Sequence, residues 1–123
     1  MARLKEIVFD CHHPAGLARF WAAMADGYAV RAYDEAEIAR LAAQGFTPET
    51  DPVVMVDGPG PTLCFLKEER GRVQGRIHLD LEVADRAGET DRVLALGARL
   101  LRREATYTVF ADPEGNHFCL IDA

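Results

Sequence analysis

The chain has 123 residues, 49% of them hydrophobic and 28% charged, which is enough apolar material for one domain with a real core and rules out wholesale disorder. The formal net charge of -6 repels phosphate backbones, so a nucleic-acid partner is not expected. Three cysteines, Cys11, Cys64 and Cys119, are an odd number with no C-x-x-C spacing, which argues against a disulfide framework or a zinc ribbon.

In chain order, residues 4–11 read as a strand, with Leu4, Ile7 and Phe9 apolar. His12, His13 and Pro14 break it, and Pro14 suits the first turn of a helix. Leu17, Phe20, Trp21 and Met24 recur at helical spacing and predict one buried face, with Phe20 and Trp21 in the core; Asp26-Gly27 ends the helix. A short strand over 28–33 is followed by a helix over 35–44. There Asp34 and Glu37 have capping-box spacing, and Ile38, Leu41 and Ala42 give the apolar face. Strands follow at about 52–57 and 62–68, joined by Gly58-Pro59-Gly60-Pro61. The polar stretch 67–75 reads as a linker.

Residues 77–83 alternate, with Ile77, Leu79, Leu81 and Val83 on the predicted buried side and His78, Asp80 and Glu82 on the other. A helix over 87–96 and strands at about 98–103, 106–111 and 117–122 complete the chain. Asp112-Pro113-Glu114-Gly115-Asn116 reads as a turn rather than a chemical motif, and His117 beyond it as a surface residue.

The chain repeats itself. A shift of 72 residues lays Glu6 on His78, Phe9 on Leu81, and Ala15-Gly16 on Ala87-Gly88. The last strands, Leu63-Cys64-Phe65-Leu66 and Phe118-Cys119-Leu120-Ile121, superpose at a shift of 55. The two shifts differ by 17 residues, which the helix over 35–44 and its flanks supply. The expected fold is α+β: two tandem βαβββ modules forming a curved mixed sheet around a cleft, with an extra helix inserted in module 1. The whole of 1–123 is then one domain, with module 1 at about 1–70, the linker at about 67–75 and module 2 at about 76–123. Concave, mostly apolar clefts are where small ligands bind.

The run His78-Leu79-Asp80-Leu81-Glu82-Val83-Ala84-Asp85, the later Leu96-Gly97-Ala98, and Asp112 through Leu120 resemble the second half of a vicinal-oxygen-chelate domain. In the first half, Asp10-Cys11-His12-His13-Pro14 and Leu17-Ala18-Arg19-Phe20-Trp21 resemble the glyoxalase-like subgroup of that superfamily, which also includes bleomycin-resistance and extradiol dioxygenase proteins. In its metal-dependent members, side chains on the first and last strands of each half line the cleft. Carried over by position, the resemblance implies Glu6 and His78 on the first strands and Cys64 and Cys119 on the last.

Both last-strand carboxylates are thus thiols here. Hard cations want oxygen, so no metal is expected; a Glu6, Cys64, His78 and Cys119 set holding zinc or another divalent metal is the minor alternative, against two buried thiols acting as small hydrophobes. Tyr107 is a candidate pocket-wall residue. His78 serves equally as base, ligand or structural donor. Glu6 is read first as an exposed charge. His13 is read as capping the helix or exposed.

The resemblance implies a protein that binds a small apolar or aromatic molecule without the usual metal. The alternative is a lyase or isomerase, possibly metal-assisted, using His78 and Glu6 for acid–base chemistry; an interaction module without a ligand is a third. True glyoxalase I activity is not expected. A homodimer in the cytoplasm is expected, with no membrane partner: no apolar run approaches a spanning length, and the first residues lack a signal peptide's apolar stretch.

Overall fold

A computed structural model describes residues 1–68 and 77–123. The linker expected over 67–75 lies, beyond Lys67 and Glu68, outside the described residues. The fold is α+β, with three helices and eight strands of mixed sheet among the described residues, in keeping with paired βαβββ modules. The strands are β1 (Arg3–Cys11), β2 (Ala29–Val30), β3 (Val53–Asp57), β4 (Thr62–Lys67), β5 (Ile77–Val83), β6 (Arg99–Arg103), β7 (Tyr107–Ala111) and β8 (His117–Asp122). The helices are α1 (Pro14–Met24), α2 (Glu35–Ala43) and α3 (Arg86–Ala95). Among the described residues no helix is long and apolar enough to cross a membrane.

The chain divides into two compact units. One comprises Met1–Val8 with Arg72–Ala123, the other Phe9–Gly71. In the second unit β2 pairs antiparallel with β3, and β3 with β4. Its core joins Ala15 and Ala18 of α1 to Val54, Val56 and Phe65, with Phe9 stacked on Phe65 at 5.0 Å. Here the sequence reading of α1 needs correction. Phe20 and Met24 are 54% and 64% exposed, and the buried stripe runs through Pro14, Ala15 and Ala18, with Trp21 partly buried beside it. Small residues let the helix backbone approach the sheet, which turns Phe20 and Met24 outward. In α2 only Leu41 is buried and Ile38 is exposed, because this inserted helix offers the sheet a single side chain rather than a face. Its cap is as read: Asp34 Oδ1 accepts from the Glu37 amide at 2.8 Å.

In the first unit β5 pairs parallel with β8, and β8–β7 and β7–β6 are antiparallel. One face of this sheet packs Val83, Phe110 and Leu120 under Val93 of α3, with Phe110 stacked on Phe118 at 5.3 Å. The face expected to be buried along all of β5 is buried only at its end: Ile77 and Leu79 are exposed, and the core begins at Leu81 and Val83.

The two helix starts share one backbone geometry. His13 precedes α1 at φ -137°, ψ 86°, and Asp85 precedes α3 at φ -130°, ψ 94°. Gly16 and Gly88 follow three residues on, where an added Cβ would press on the His13 ring and collide with the Asp85 carboxylate respectively. Asp85 caps, accepting from the Gly88 amide at 3.1 Å; His13 makes no side-chain cap bond. Its ring, 61% exposed, lies beside Glu49, whose carboxylate Arg19 holds bidentately at 2.6 and 2.8 Å. Of the two roles read for His13, capping or exposed, the structure shows the exposed one; its imidazole Nε2 lies 3.3 Å from the Glu49 carbonyl oxygen.

Candidate functional site

The second face of the first unit's sheet is set by strand alternation and register. Side chains two apart share a face, and residues opposite one another across a ladder do too. Asp80 stands opposite Cys119, and Cys119 opposite Val109. Tyr107 stands opposite Ile121. The face turned away from the α3 core therefore carries His78, Asp80 and Glu82 from β5, Cys119 and Ile121 from β8, and Tyr107 and Val109 from β7.

Three polar groups converge there. One ligand atom from each of His78, Asp80 and Cys119 lies within 4.8 Å of the others. His78 Nε2 stands 3.4 Å from Asp80 Oδ1, with side chains only 13% and 14% exposed. Cys119 is 9% exposed. The polar side of β5 is thus better shielded from water than Ile77 and Leu79 on its other side, the reverse of an ordinary amphipathic strand. Buried polar groups are costly unless they are partnered, and here His78 and Asp80 face one another.

Of the residues singled out in the sequence, His78 and Cys119 are brought together. Asp80 completes the group and was not singled out. Alternation with His78 was legible; the ladder partner Cys119 was not, because parallel pairing joins residues 39 apart in sequence. Tyr107 lies half-buried on the same face, at the end where its hydroxyl bonds Arg102 and holds that guanidinium's pKa above its ordinary value. Glu6 belongs to the same unit. It is 7% exposed, which corrects the reading of an exposed charge: β1 buries alternate residues from Glu6 through Val8, so the carboxylate is carried inward by strand period alone. Cys64 lies in the other compact unit. It is buried opposite Met55, on the side of β4 facing away from the core that holds Phe65.

Asp112 is structural, as read. Its carboxylate accepts from the amides of Glu114 and Asn116 and from Asn116 Nδ2, all at 2.8–2.9 Å.

Metal-dependent members of the superfamily that the sequence resembles hold a divalent cation, and the donor set here tests whether one would fit. An imidazole nitrogen, a carboxylate oxygen and a thiol sulfur do not suit magnesium or manganese, which take oxygen shells. They do suit zinc, which accepts all three atom types.

A concavity of about 330 Å³ lies within the other unit beside the inserted helix. Arg31, Tyr33, Arg40, Asp51 and Met55 are among its lining residues. Tyr33 donates to the buried Asp51 at 2.7 Å, and burial together with that carboxylate pushes the phenol above its ordinary pKa. The pair ties the segment just before α2 to the segment just before β3.

Residues 6–121 match the glyoxalase-like domain family. No curated protein matches the chain. Solved structures of similar fold include a glyoxalase/bleomycin resistance protein/dioxygenase superfamily member from Vibrio splendidus 12B01, at 13% identity over 100% of both chains and TM-score 0.54. A Streptomyces coelicolor methylmalonyl-CoA epimerase variant in complex with 2-nitronate-propionyl-CoA is 18% identical over 100% of this chain and 98% of that one, TM-score 0.57. The NAD-dependent benzaldehyde dehydrogenase from Legionella pneumophila is 12% identical over 94% and 96%, TM-score 0.60. At such identities the likeness is one of fold alone. With the family model matched along nearly the whole chain, the chain belongs to the glyoxalase-like domain family.

Proposed function

We propose that this chain binds a small organic molecule, apolar or aromatic in body and carrying one polar group, on the β5–β8–β7 face of its first unit. The observation that carries the reading is the His78–Asp80–Cys119 trio, shielded from water yet facing away from the α3 core. Val109, Ile121 and Tyr107 supply apolar surface beside it. A largely apolar lining with a few convergent polar groups is the usual make-up of a small-molecule site. In this reading the imidazole, steadied by Asp80, gives or takes the hydrogen bond that orients the ligand. A bound zinc ion would be held by the same three residues and would act as a Lewis acid toward an oxygen of the ligand.

A thermal-shift screen of small aromatic and aliphatic carbonyl compounds against the metal-stripped chain tests the reading. A compound at about a hundred times its Kd is expected to raise Tm by on the order of 10 °C. The rise should vanish in His78→Ala. A flat screen, or an equal rise in His78→Ala, contradicts it.

A second reading is favoured by the burial of Glu6. A carboxylate drawn out of water in the same unit as His78 is a candidate second group for the acid–base chemistry of a lyase or isomerase. Turnover of an identified substrate that survives both Glu6→Gln and His78→Ala would remove it.

A further inference from the structure

The trio's chemistry selects among cations more sharply than the fold does. In the superfamily pattern the last strand brings a carboxylate; here β8 brings Cys119, and the neighbouring strand brings Asp80 opposite it. The donors are a nitrogen, an oxygen and a sulfur within 4.8 Å of one another. All three stand on regular strands, so the backbone ladder and not a loop fixes their separation. Each is largely withdrawn from solvent, which strips competing water from a cation.

We infer that His78, Asp80 and Cys119 form a zinc-selective site contained in the first unit, in place of the oxygen-rich centre its family suggests. Thiolate and imidazole favour zinc and cobalt over magnesium and manganese, which bind sulfur poorly. Three protein donors leave zinc an open position, the arrangement of sites that meet a ligand rather than of closed structural ones. The inference deepens the ligand-binding reading and rests on it for the choice of face, but it stands on donor chemistry and not on any organic ligand.

Cobalt(II) titration of the metal-stripped full chain tests it by absorption. The expected result is a near-ultraviolet thiolate-to-cobalt charge-transfer band that grows to one equivalent. Zinc should erase the band, while excess magnesium or manganese should leave it. Cys119→Ser should abolish it, Cys64→Ser should keep it, and His78→Ala should weaken cobalt binding about ten-fold or more. Circular dichroism reports whether each variant folds; if Cys119→Ser does not, Asp80→Asn carries the test, with the band retained and affinity lowered. No charge-transfer band, a band that survives Cys119→Ser, or displacement of cobalt by magnesium overturns the inference. A band in a chain that answers no organic compound would sustain the zinc site and remove the ligand reading. Ligand binding without the band would do the opposite.

Discussion

Asp80 and Cys119 stand directly opposite one another in the parallel β5–β8 ladder, so an acid and a thiol share one water-poor face of the sheet. Replacing the thiol by a carboxylate at that point should change which cation the face prefers. Cys119→Glu places a second carboxylate beside Asp80, and the repulsion between the two is relieved by a shared proton or by a cation held between them. Manganese is expected to raise the Tm of Cys119→Glu by several degrees while leaving the unsubstituted chain unmoved; equal responses in a melting experiment would contradict this.

The unequal helix caps give a stability prediction. His13 and Asp85 have nearly the same backbone angles, yet only Asp85 caps. His13→Asp should therefore supply α1 with the bond α3 already has, a gain of about 0.5–1 kcal/mol. The exposed His13–Glu49 approach that is lost contributes little. Urea denaturation measures it, and an unchanged or lower midpoint would contradict a capping gain at this position.

Phe110 is fully buried and stacked on Phe118, under α3. Truncating it removes ring contacts and leaves a cavity that close-packed strands cannot close. Phe110→Ala should lower unfolding free energy by about 3–5 kcal/mol. Phe20→Ala, on the exposed side of α1, should change it by less than about 1 kcal/mol. Similar losses at the two positions would contradict the corrected orientation of α1.

Asp112 sets a pH dependence. Bonds first from the Asn116 side chain and then from turn amides hold its carboxyl below the ordinary 3.8. A depressed folded-state pKa adds stability that is present above the unfolded value and is lost as pH falls through the folded one. Asp112→Asn should therefore lower Tm at neutral pH, and the gap to the unsubstituted chain should narrow below about pH 4. A gap constant from neutral pH down to about pH 2 would count against a charged turn.

Much of the fold was legible because its signals are local. Strand alternation, the Asp34 and Asp85 positions, and the Asp112–Asn116 turn each act within a few residues. The family resemblance then pointed to His78 and Cys119, which belong to the two pairs of positions that the internal repeat superposed. What was not legible depends on distant partners. Leu17, Phe20, Trp21 and Met24 have an apolar rhythm, but the side of α1 that packs was decided by Ala15 and Ala18, whose small size admits the sheet. Alternation placed Ile77 and Leu79 inside, whereas the α3 core covers β5 only from Leu81 onward. Asp80 looked like a solvent-facing charge until the parallel ladder set Cys119 across from it.

The account's central claim is that the His78–Asp80–Cys119 face is where this protein meets its ligand. Amide chemical-shift mapping by NMR, with the strongest compound from the thermal-shift screen, tests this most directly. The account predicts shifts concentrated at His78, Asp80 and Cys119 and at Tyr107, Val109 and Ile121 on the same face. Shifts gathered instead around Arg31, Arg40 and Asp51 beside the inserted helix would contradict it.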